Sequence, residues 1–174
     1  YGERPNGPRR VVLTLIDISR LRDARRLQMV IDSIPAHVAV LDGIGTIVTV
    51  NEPWRSFARR AGARPVEGLS EGTNYLAVLD HAIGSGQAEV AAIRDGMRAV
   101  IAGELPNFEA EYTCDCRGQE LWFHMRVTPR PSRQRGVVVA HENITGRKQA
   151  ERERDLAVEF LRLVNESRDR RKLA

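Results

Sequence analysis

The chain has 174 residues, of which 42% are hydrophobic and 29% are charged, which suits one domain with connecting segments. No apolar run approaches the ~20 residues that a membrane-spanning helix needs, and no signal peptide opens the chain, so we expect a cytoplasmic location. The formal net charge is +4, but the 27 basic residues are mixed with 23 acidic ones and aromatic residues are only 5%, which argues against a nucleic-acid-binding surface.

One sequence pattern occurs near each end of the chain. Residues 11–26 read VVLTLIDISRLRDARR, and residues 137–152 read VVVAHENITGRKQAER. Each copy is an apolar run, then a short polar stop, then a charged stretch of helix-forming composition. The repeat predicts a strand that runs directly into a helix, twice, about one small domain apart. We therefore interpret residues 1–19 as the last strand and exit of a preceding domain.

A linker helix and a hairpin are predicted next. Residues 20–34 carry apolar side chains at steps of three and four, which predicts an amphipathic helix, and Pro35 should end it. Residues 37–42 (HVAVLD) and 46–51 (TIVTVN) are predicted strands joined by a glycine-containing turn. Asn51 is then predicted to cap a helix.

The second half of the chain supplies two more helices and three strands. Helices are predicted at residues 74–84 and 86–103, and strands at residues 108–116, 121–128 and 137–144. The order is therefore strand, strand, helices and three strands. It predicts an α+β domain in which helices cover one face of an antiparallel sheet.

The C-terminal segment, residues 147–174, is predicted to be a further helix. Its apolar residues fall at steps of seven, three and four, which is typical of a short coiled-coil seam. The members of this seam are Ala150, Ala157, Phe160 and Val164.

These elements resemble a PAS domain, the sensory module of bacterial signalling proteins. IDSIPAHVAVLDGIGTIVTVNEPWRSFA is similar to the family's opening, GTNYLAVL to its short middle helix, and LWFHMRVTPR and VVVAHENITGRKQAE to its last strands and exit. The resemblance implies a PAS domain with a five-stranded antiparallel sheet at residues 35–146. Linker helix 20–34 and signalling helix 147–174 would flank it.

The resemblance also implies two signal-relay junctions. DIS at residues 17–19 and NIT at residues 143–145 both match the family's exit motif, which joins the last strand to a signalling helix. The second copy has asparagine where the family commonly has aspartate; asparagine caps a helix equally well, but the charge is lost. The implied junction residues are Asp17, Ser19, Glu142, Asn143 and Thr145.

A ligand pocket of such a domain would lie between the inner sheet face and the helices. The candidate lining residues are those expected to point into this space: either Val40 or Leu41, and Val50, Trp54, Phe57, Tyr75, Leu79, Ile93, Met97, Tyr112, Phe123 and Met125. The alternative is that all of them simply form the core that a domain of this size requires.

No cofactor is predicted. His81 is the histidine placed on a predicted helix, where a haem-binding PAS domain would need one, but we favour a surface histidine there. The light-sensing branch of the family carries a reactive cysteine in a Gly-x-Asn-Cys motif. Here Tyr75 stands at the cysteine position, which argues against flavin-adduct photochemistry.

No metal site is predicted either. Cys114 and Cys116 share one face of a predicted strand, and no second ligand pair completes a zinc site, so we favour packing over metal or redox roles. His124 and His141 lie on neighbouring predicted strands, where a structural or surface role is the simpler interpretation.

Two functions of different classes remain open. The domain is either a sensor that binds a small ligand or partner, or a ligand-free dimerisation and scaffold module. In both cases a parallel homodimer would pass changes through the flanking helices to a downstream output domain. We expect the parent protein to be a histidine kinase rather than a diguanylate cyclase or a chemotaxis-type methyltransferase fusion. The chain itself carries no catalytic motif, so no enzymatic activity is expected of it.

Overall fold

The computed structural model describes residues 19–61, 69–84, 90–116, 118–130 and 135–172. The strand predicted at residues 11–18 lies outside the described residues. Along the described chain the elements are helix α1 (Ser19–Asp32), strands β1 (His37–Asp42) and β2 (Ile47–Val50), helices α2 (Glu52–Ala61), α3 (Tyr75–Gly84) and α4 (Val90–Ala102), strands β3 (Phe108–Cys116), β4 (Gln119–Pro129) and β5 (Gly136–Asn143), and helix α5 (Thr145–Lys172).

The five strands form one antiparallel sheet in the order β2-β1-β5-β4-β3. The first and last strands of the domain are therefore neighbours at the centre, with His37 on β1 paired to His141 on β5. This arrangement confirms the predicted α+β class and the five-stranded antiparallel sheet. It also places the end of β5, which leads into α5, beside the strand that opens the domain.

The β1–β2 hairpin is closed by side-chain hydrogen bonds within its turn. The Asp42 carboxylate accepts hydrogen bonds from the backbone N–H groups of Ile44 (3.0 Å) and Thr46 (2.8 Å). Gly45 has a φ of +85°, and a Cβ there would lie 2.7 Å from the side chain of Leu76 on α3. Glycine is therefore required twice over, by the backbone conformation and by the close approach of α3.

The β3–β4 hairpin extends further than the sequence pattern predicts. Strand β4 begins at Gln119, two residues before the predicted Leu121, and Gln119 pairs with Cys116. The Asp115 carboxylate accepts a hydrogen bond from Gly118 N–H (2.7 Å), and Gly118 has a φ of +79°. This tight turn allows the pairing to continue almost to the tip of the hairpin.

The core lies between the sheet and helices α2 to α4. Met97 on α4, Leu41 on β1 and Val139 on β5 are all fully buried within it. Gly96 on α4 lies against Phe108, and a Cβ at position 96 would come within 2.3 Å of that ring. Helix α4 therefore packs closely on β3, and little space remains at this end of the domain.

Helix α1 is tied to the sheet by a buried asparagine. The side-chain amide of Asn51 donates hydrogen bonds to the carbonyls of Ile31 (3.1 Å), Ile34 (3.3 Å) and Ala36 (2.8 Å). Its Oδ1 accepts hydrogen bonds from the N–H groups of Val38 and Trp54. Asn51 therefore caps α2, as the sequence predicts, and also forms hydrogen bonds with carbonyls at the C-terminal end of α1.

Helix α5 has 28 residues and is about 42 Å long at 1.5 Å per residue. Beyond its first turns its apolar side chains are exposed, including Leu156, Phe160 and Leu163. In the described parts of the chain, no helix combines the length and apolar character needed to cross a bilayer.

Candidate ligand-binding site

A small cavity of about 40 Å³, the inner cavity, lies between the sheet and helices α2 and α3. It is lined by His37, Trp54, Phe57, Leu69, Tyr75, Tyr112 and His141. Its volume slightly exceeds the share of one liquid water molecule, about 30 Å³. The inner cavity can therefore hold a small chemical group between aromatic walls.

His141 places an unsatisfied polar atom in this wall. The residue is only 5% exposed, its Nδ1 lies 2.7 Å from the Tyr112 hydroxyl, and its Nε2 has no hydrogen-bond partner among the described residues. A buried polar atom without a partner costs free energy, so such atoms are rare in folded proteins. A group in the inner cavity could satisfy the Nε2 of His141.

The hydrogen bonds around His141 indicate which of its ring nitrogens carries the proton. If the Tyr112 hydroxyl donates to Nδ1, one buried group remains unpaired, the Nε2–H donor. If Nδ1–H instead donates to the tyrosine oxygen, both the hydroxyl proton and the Nε2 lone pair remain unpaired. The first arrangement leaves fewer orphaned groups, so we infer that His141 offers a donor to the inner cavity.

The polar groups of the inner cavity carry no charge at neutral pH. Burial lowers the pKa of His141 to about 3, with a smaller effect from His37. Burial, followed by the nearby Arg60 charge, also lowers the pKa of His37. Burial raises the pKa values of Tyr75 and Tyr112 above their usual range. The inner cavity is thus polar but neutral.

A second, outer cavity of about 340 Å³ adjoins the first. It is lined by His37, Phe57, Arg60, Cys116, Gln119, Leu121 and Asn143. His37 and Phe57 line both cavities and are stacked with ring centroids 4.6 Å apart. These two rings therefore form the partition between the inner and outer cavities.

The predicted relay junction is built on the same strand as His141. Thr145 N–H donates to the Asn143 side-chain oxygen (3.0 Å), and Trp122 N–H on β4 donates to the Thr145 hydroxyl oxygen (2.9 Å). Between them, Ile144 is buried and its N–H donates to the Trp122 carbonyl. These bonds start α5 at Thr145, two residues before the predicted position, and hold its first turn on β4.

Charged side chains also attach the first turn of α5 to β3. Glu111 forms ion pairs of 2.7 Å with both Arg147 and Lys148, and these hydrogen bonds lower the pKa of the Glu111 carboxyl. Lys148 lies 5.3 Å from the centre of the Trp122 ring. Glu111 precedes Tyr112, so adjacent β3 residues reach α5 on one side of the sheet and His141 on the other.

The structure separates the ten candidate pocket residues into two groups. Four of them line the inner cavity: Trp54, Phe57, Tyr75 and Tyr112. Six of them are buried in the packed core and line neither cavity: Val50, Leu79, Ile93, Met97, Phe123 and Met125. Of the pair left open on β1, Leu41 is fully buried and Val40 is half-buried.

In the second copy, the implied junction residues lie at the end of β5 and the start of α5. Asn143 and Thr145 make the contacts given above, and Glu142 is exposed at the end of β5. For the first copy, Ser19 is the first residue of α1, and Asp17 lies outside the described residues.

The sequence interpretation missed both cavity histidines. Of the structural and surface alternatives given for His141, the structure supports the structural one, because the residue is buried. His124 is half-buried on the other face, and its Nε2 lies 3.2 Å from Glu109 Oε2. The sequence of β5 does indicate the buried position of His141. The residue follows Val137 and Val139 at steps of two and therefore shares their inward face. His81 is exposed on α3.

The two cysteines lie together on β3 in reduced form. Their sulfur atoms are 3.5 Å apart, and burial with the hydrogen bond to Cys116 raises the pKa of Cys114 to about 12. A neutral thiol is a poor nucleophile and metal ligand. Within the described ranges, no cluster of three or more histidine, cysteine or acidic side chains could hold a metal ion.

Comparison with known proteins identifies a sequence family and a relative. A family model described as the PAS fold matches residues 31–149. An uncharacterized 104.1 kDa protein in the hypE 3' region of Rhodobacter capsulatus is 42% identical over 137 residues. The match covers 77% of this chain but only 14% of that relative, so this chain spans about one-seventh of the relative's length.

Solved structures share the fold at low sequence identity. The PAS domain of BvgS from Bordetella pertussis has a TM-score of 0.52 and 13% identity, with 79% of this chain and 98% of that chain covered. An RNA-binding light-oxygen-voltage receptor has a TM-score of 0.53 and 16% identity, with 91% of this chain and 42% of that chain covered. At these identities the likeness extends to the fold alone.

Proposed function

This chain belongs to the PAS fold family, whose members are generally sensory and signal-transduction modules, and we propose that it binds a small ligand in its two cavities and relays occupancy through α5. The observation that carries this proposal is the buried, unpartnered Nε2 of His141, a residue that lines the inner cavity and lies two residues before the relay junction. A binding site and an output helix on one strand can influence each other through short, direct contacts.

The proposed relay follows two neighbouring routes. On β5, a ligand that moves His141 would shift Asn143, whose side chain accepts the hydrogen bond of Thr145 N–H at the start of α5. On β3, a ligand that displaces Tyr112 would shift Glu111, which holds Arg147 and Lys148. Both routes alter how firmly the first turn of α5 is attached to the sheet.

The surrounding protein is part of the same proposal. We infer that α5 leads to a downstream output domain, with a histidine kinase as the favoured parent, and that this chain itself has no enzymatic activity. Its inferred location is the cytoplasm. The length of the relative, about seven times the matched segment, leaves room for such further domains.

The relay predicts a local effect of junction substitutions. Asn143→Ala removes the acceptor of Thr145 N–H, and loss of a helix cap typically costs about 1 kcal/mol. Amide hydrogen exchange in the first turn of α5 should therefore become roughly fivefold faster, while exchange in the sheet stays unchanged. Hydrogen exchange with mass spectrometry measures both regions in one experiment.

The control for this experiment is Thr49→Val, which changes a half-buried side chain on the distant strand β2. It should leave exchange in α5 unaltered. If Asn143→Ala instead accelerates exchange throughout the sheet, the junction is part of the folding core and cannot act as a separate relay element.

A ligand-free dimerisation module is the second candidate, because α5 presents an unpartnered apolar stripe. Leu156, Phe160 and Leu163 fall at steps of four and three, and Phe160 is 66% exposed. Exposed apolar residues at this spacing are typical of a coiled-coil seam, so we propose a parallel homodimer through α5. Phe160 also belongs to the seam predicted from the sequence.

The dimer proposal predicts that Phe160→Glu converts a dimer into a monomer, because two carboxylates would meet in the seam. Analytical ultracentrifugation measures the mass directly. Arg154→Glu is the matched control, since Arg154 is exposed but lies off the apolar stripe, and this variant should stay dimeric. If Phe160→Glu remains dimeric, α5 does not supply the dimer interface.

A further inference from the structure

The described lining of the outer cavity carries positive charge and no negative charge. Among the described residues that line it, Arg60 is the one charged side chain and none is a carboxylate. Arg60 Nε donates a 3.3 Å hydrogen bond to the Ser56 carbonyl in its own helix. The Arg60 charge also lies close enough to His37 to lower the pKa of that ring. Within the described residues Arg60 forms no ion pair, so its remaining guanidinium N–H groups are available to an anion.

Two neutral amides add donors beside Arg60. The Asn143 oxygen already accepts the hydrogen bond of Thr145 N–H, which leaves the Asn143 NH₂ group as the part of the side chain available to a ligand. Gln119 supplies a second amide in the same lining. Aspartate at position 143 would instead place a carboxylate in the cavity that contains Arg60, so asparagine keeps the site electropositive.

We propose that the two cavities form one site for a small organic carboxylate that carries a hydrogen-bond acceptor at its far end. The carboxylate lies among Arg60, Gln119 and Asn143 in the outer cavity, and the acceptor meets Nε2–H of His141 in the inner cavity. This assignment rests on the sensory function proposed above and names the chemical class of its ligand.

The dimensions of the cavities set the shape of this ligand. The outer cavity, at about 340 Å³, falls in the range of small-molecule sites, and Phe57 and Leu121 give it apolar walls for a compact organic body. The inner cavity, at about 40 Å³, admits only a small terminal group such as an acetyl group. The ligand must pass His37 and Phe57, so these rings separate to admit its narrow end.

Ligand charge and helix attachment meet at Asn143. Its NH₂ group faces the carboxylate while its oxygen accepts the hydrogen bond that starts α5. A carboxylate that draws the amide toward Arg60 therefore acts directly on the bond to Thr145. Occupancy of the outer cavity reaches the output helix through one side chain.

Three related probes test the two ends of the ligand separately. 4-Acetylbenzoate has a carboxylate and a carbonyl acceptor at opposite ends; 4-acetylbenzamide removes the charge, and 4-isopropylbenzoate removes the acceptor while keeping a similar shape. Isothermal titration calorimetry should detect binding of 4-acetylbenzoate with a Kd of about 1 mM, which is the weak end of specific binding. The amide should bind at least about tenfold more weakly and the isopropyl compound about fivefold more weakly, because each loses one hydrogen-bonding end.

Variants of the binding residues assign each loss to its contact. Arg60→Gln and Asn143→Asp should each weaken 4-acetylbenzoate at least about tenfold, and Asn143→Asp keeps an oxygen that can cap α5. Arg59→Gln removes the same charge one residue away, on a side chain that lines neither cavity, and should change affinity less than about twofold. His141→Leu should abolish the preference for the acetyl over the isopropyl probe, and the wild-type comparison stands even if that variant fails to fold.

Several results would overturn the assignment. The first is that 4-acetylbenzoate shows no binding at millimolar concentration. The second is that the amide binds as tightly as the carboxylate. The third is that Arg59→Gln and Arg60→Gln reduce the affinity for 4-acetylbenzoate equally. A neutral small molecule that copurifies with the chain in native mass spectrometry would also reject the carboxylate while leaving the sensory function standing. Conversely, 4-acetylbenzoate that binds as expected without changing exchange in the first turn of α5 would keep the site and reject the relay.

Discussion

Replacing Asn51 by alanine should lower the free energy of unfolding by about 3–4 kcal/mol, because its side-chain oxygen and its two amide hydrogens are shared among five backbone groups. The residue is fully buried, so water cannot replace the lost partners. The substitution would uncap α2 and leave three carbonyls at the end of α1 and the start of β1 without this donor.

Asn51→Asp divides this loss into its two parts. The aspartate keeps an oxygen for the N–H groups of Val38 and Trp54 but cannot donate to the three carbonyls. We expect α1 to detach while α2 keeps its cap, so protease sensitivity should rise in α1 before the domain unfolds. Limited proteolysis with mass mapping locates the first cleavage.

Urea denaturation measures the total loss of unfolding free energy in Asn51→Ala, and a second asparagine variant serves as the control. Asn74→Ala removes another asparagine cap, which accepts a hydrogen bond from Ala77 N–H (3.0 Å) and donates to the Ile44 carbonyl, but this residue is only half-buried. It should cost about 1 kcal/mol. Equal losses in the two variants would show that the contacts of Asn51 with α1 contribute nothing to stability.

The sequence predicts the sheet well because each strand carries its own signal. Alternating or continuous apolar runs predict β1 and β3 with the observed bounds, His37–Asp42 and Phe108–Cys116. Strand ends depend on turn chemistry, so the Asp115 and Gly118 turn extends β4 beyond its apolar pattern. Local patterns thus determine the elements, whereas side-chain bonds determine where they end.

The candidate site is harder to predict because its residues come from separate elements. Arg60, Gln119 and Asn143 lie on α2, β4 and β5, and no local pattern relates them. The pairing of His141 with Tyr112 depends on sheet order, which the sequence pattern leaves open. The six core residues placed among the pocket candidates show the same limit: an inward-facing residue lines a cavity only where its neighbours leave space.

Acid should destabilise this protein through His141. Among the described residues, the groups that contact its ring or line the same cavity include Tyr112 on β3, His37 on β1, Trp54 on α2 and Tyr75 on α3, and no carboxylate is among them. The folded protein therefore keeps His141 neutral, with a pKa of about 3, whereas the unfolded chain binds a proton near the ordinary value of 6.5. Because the unfolded state binds more protons between these values, stability falls as the pH falls.

The expected slope is about 1.4 kcal/mol per pH unit below pH 6.5, or about 3 kcal/mol between pH 7 and pH 4. Burial and Arg60 also lower the pKa of His37, which adds to the loss in the same direction. His141→Gln has no titrating ring, so its unfolding free energy should fall much less over this range. Urea denaturation at a series of pH values compares the two proteins.

Val139→Ala is the control that separates titration from packing. Val139 is fully buried two residues from His141 on the same face of β5, so its truncation should weaken the fold at every pH and keep the wild-type slope. If His141→Gln also keeps the wild-type slope, His141 is protonated in the folded protein. The inner cavity would then become charged as the pH falls below about 6.5, which would contradict the neutral cavity described above.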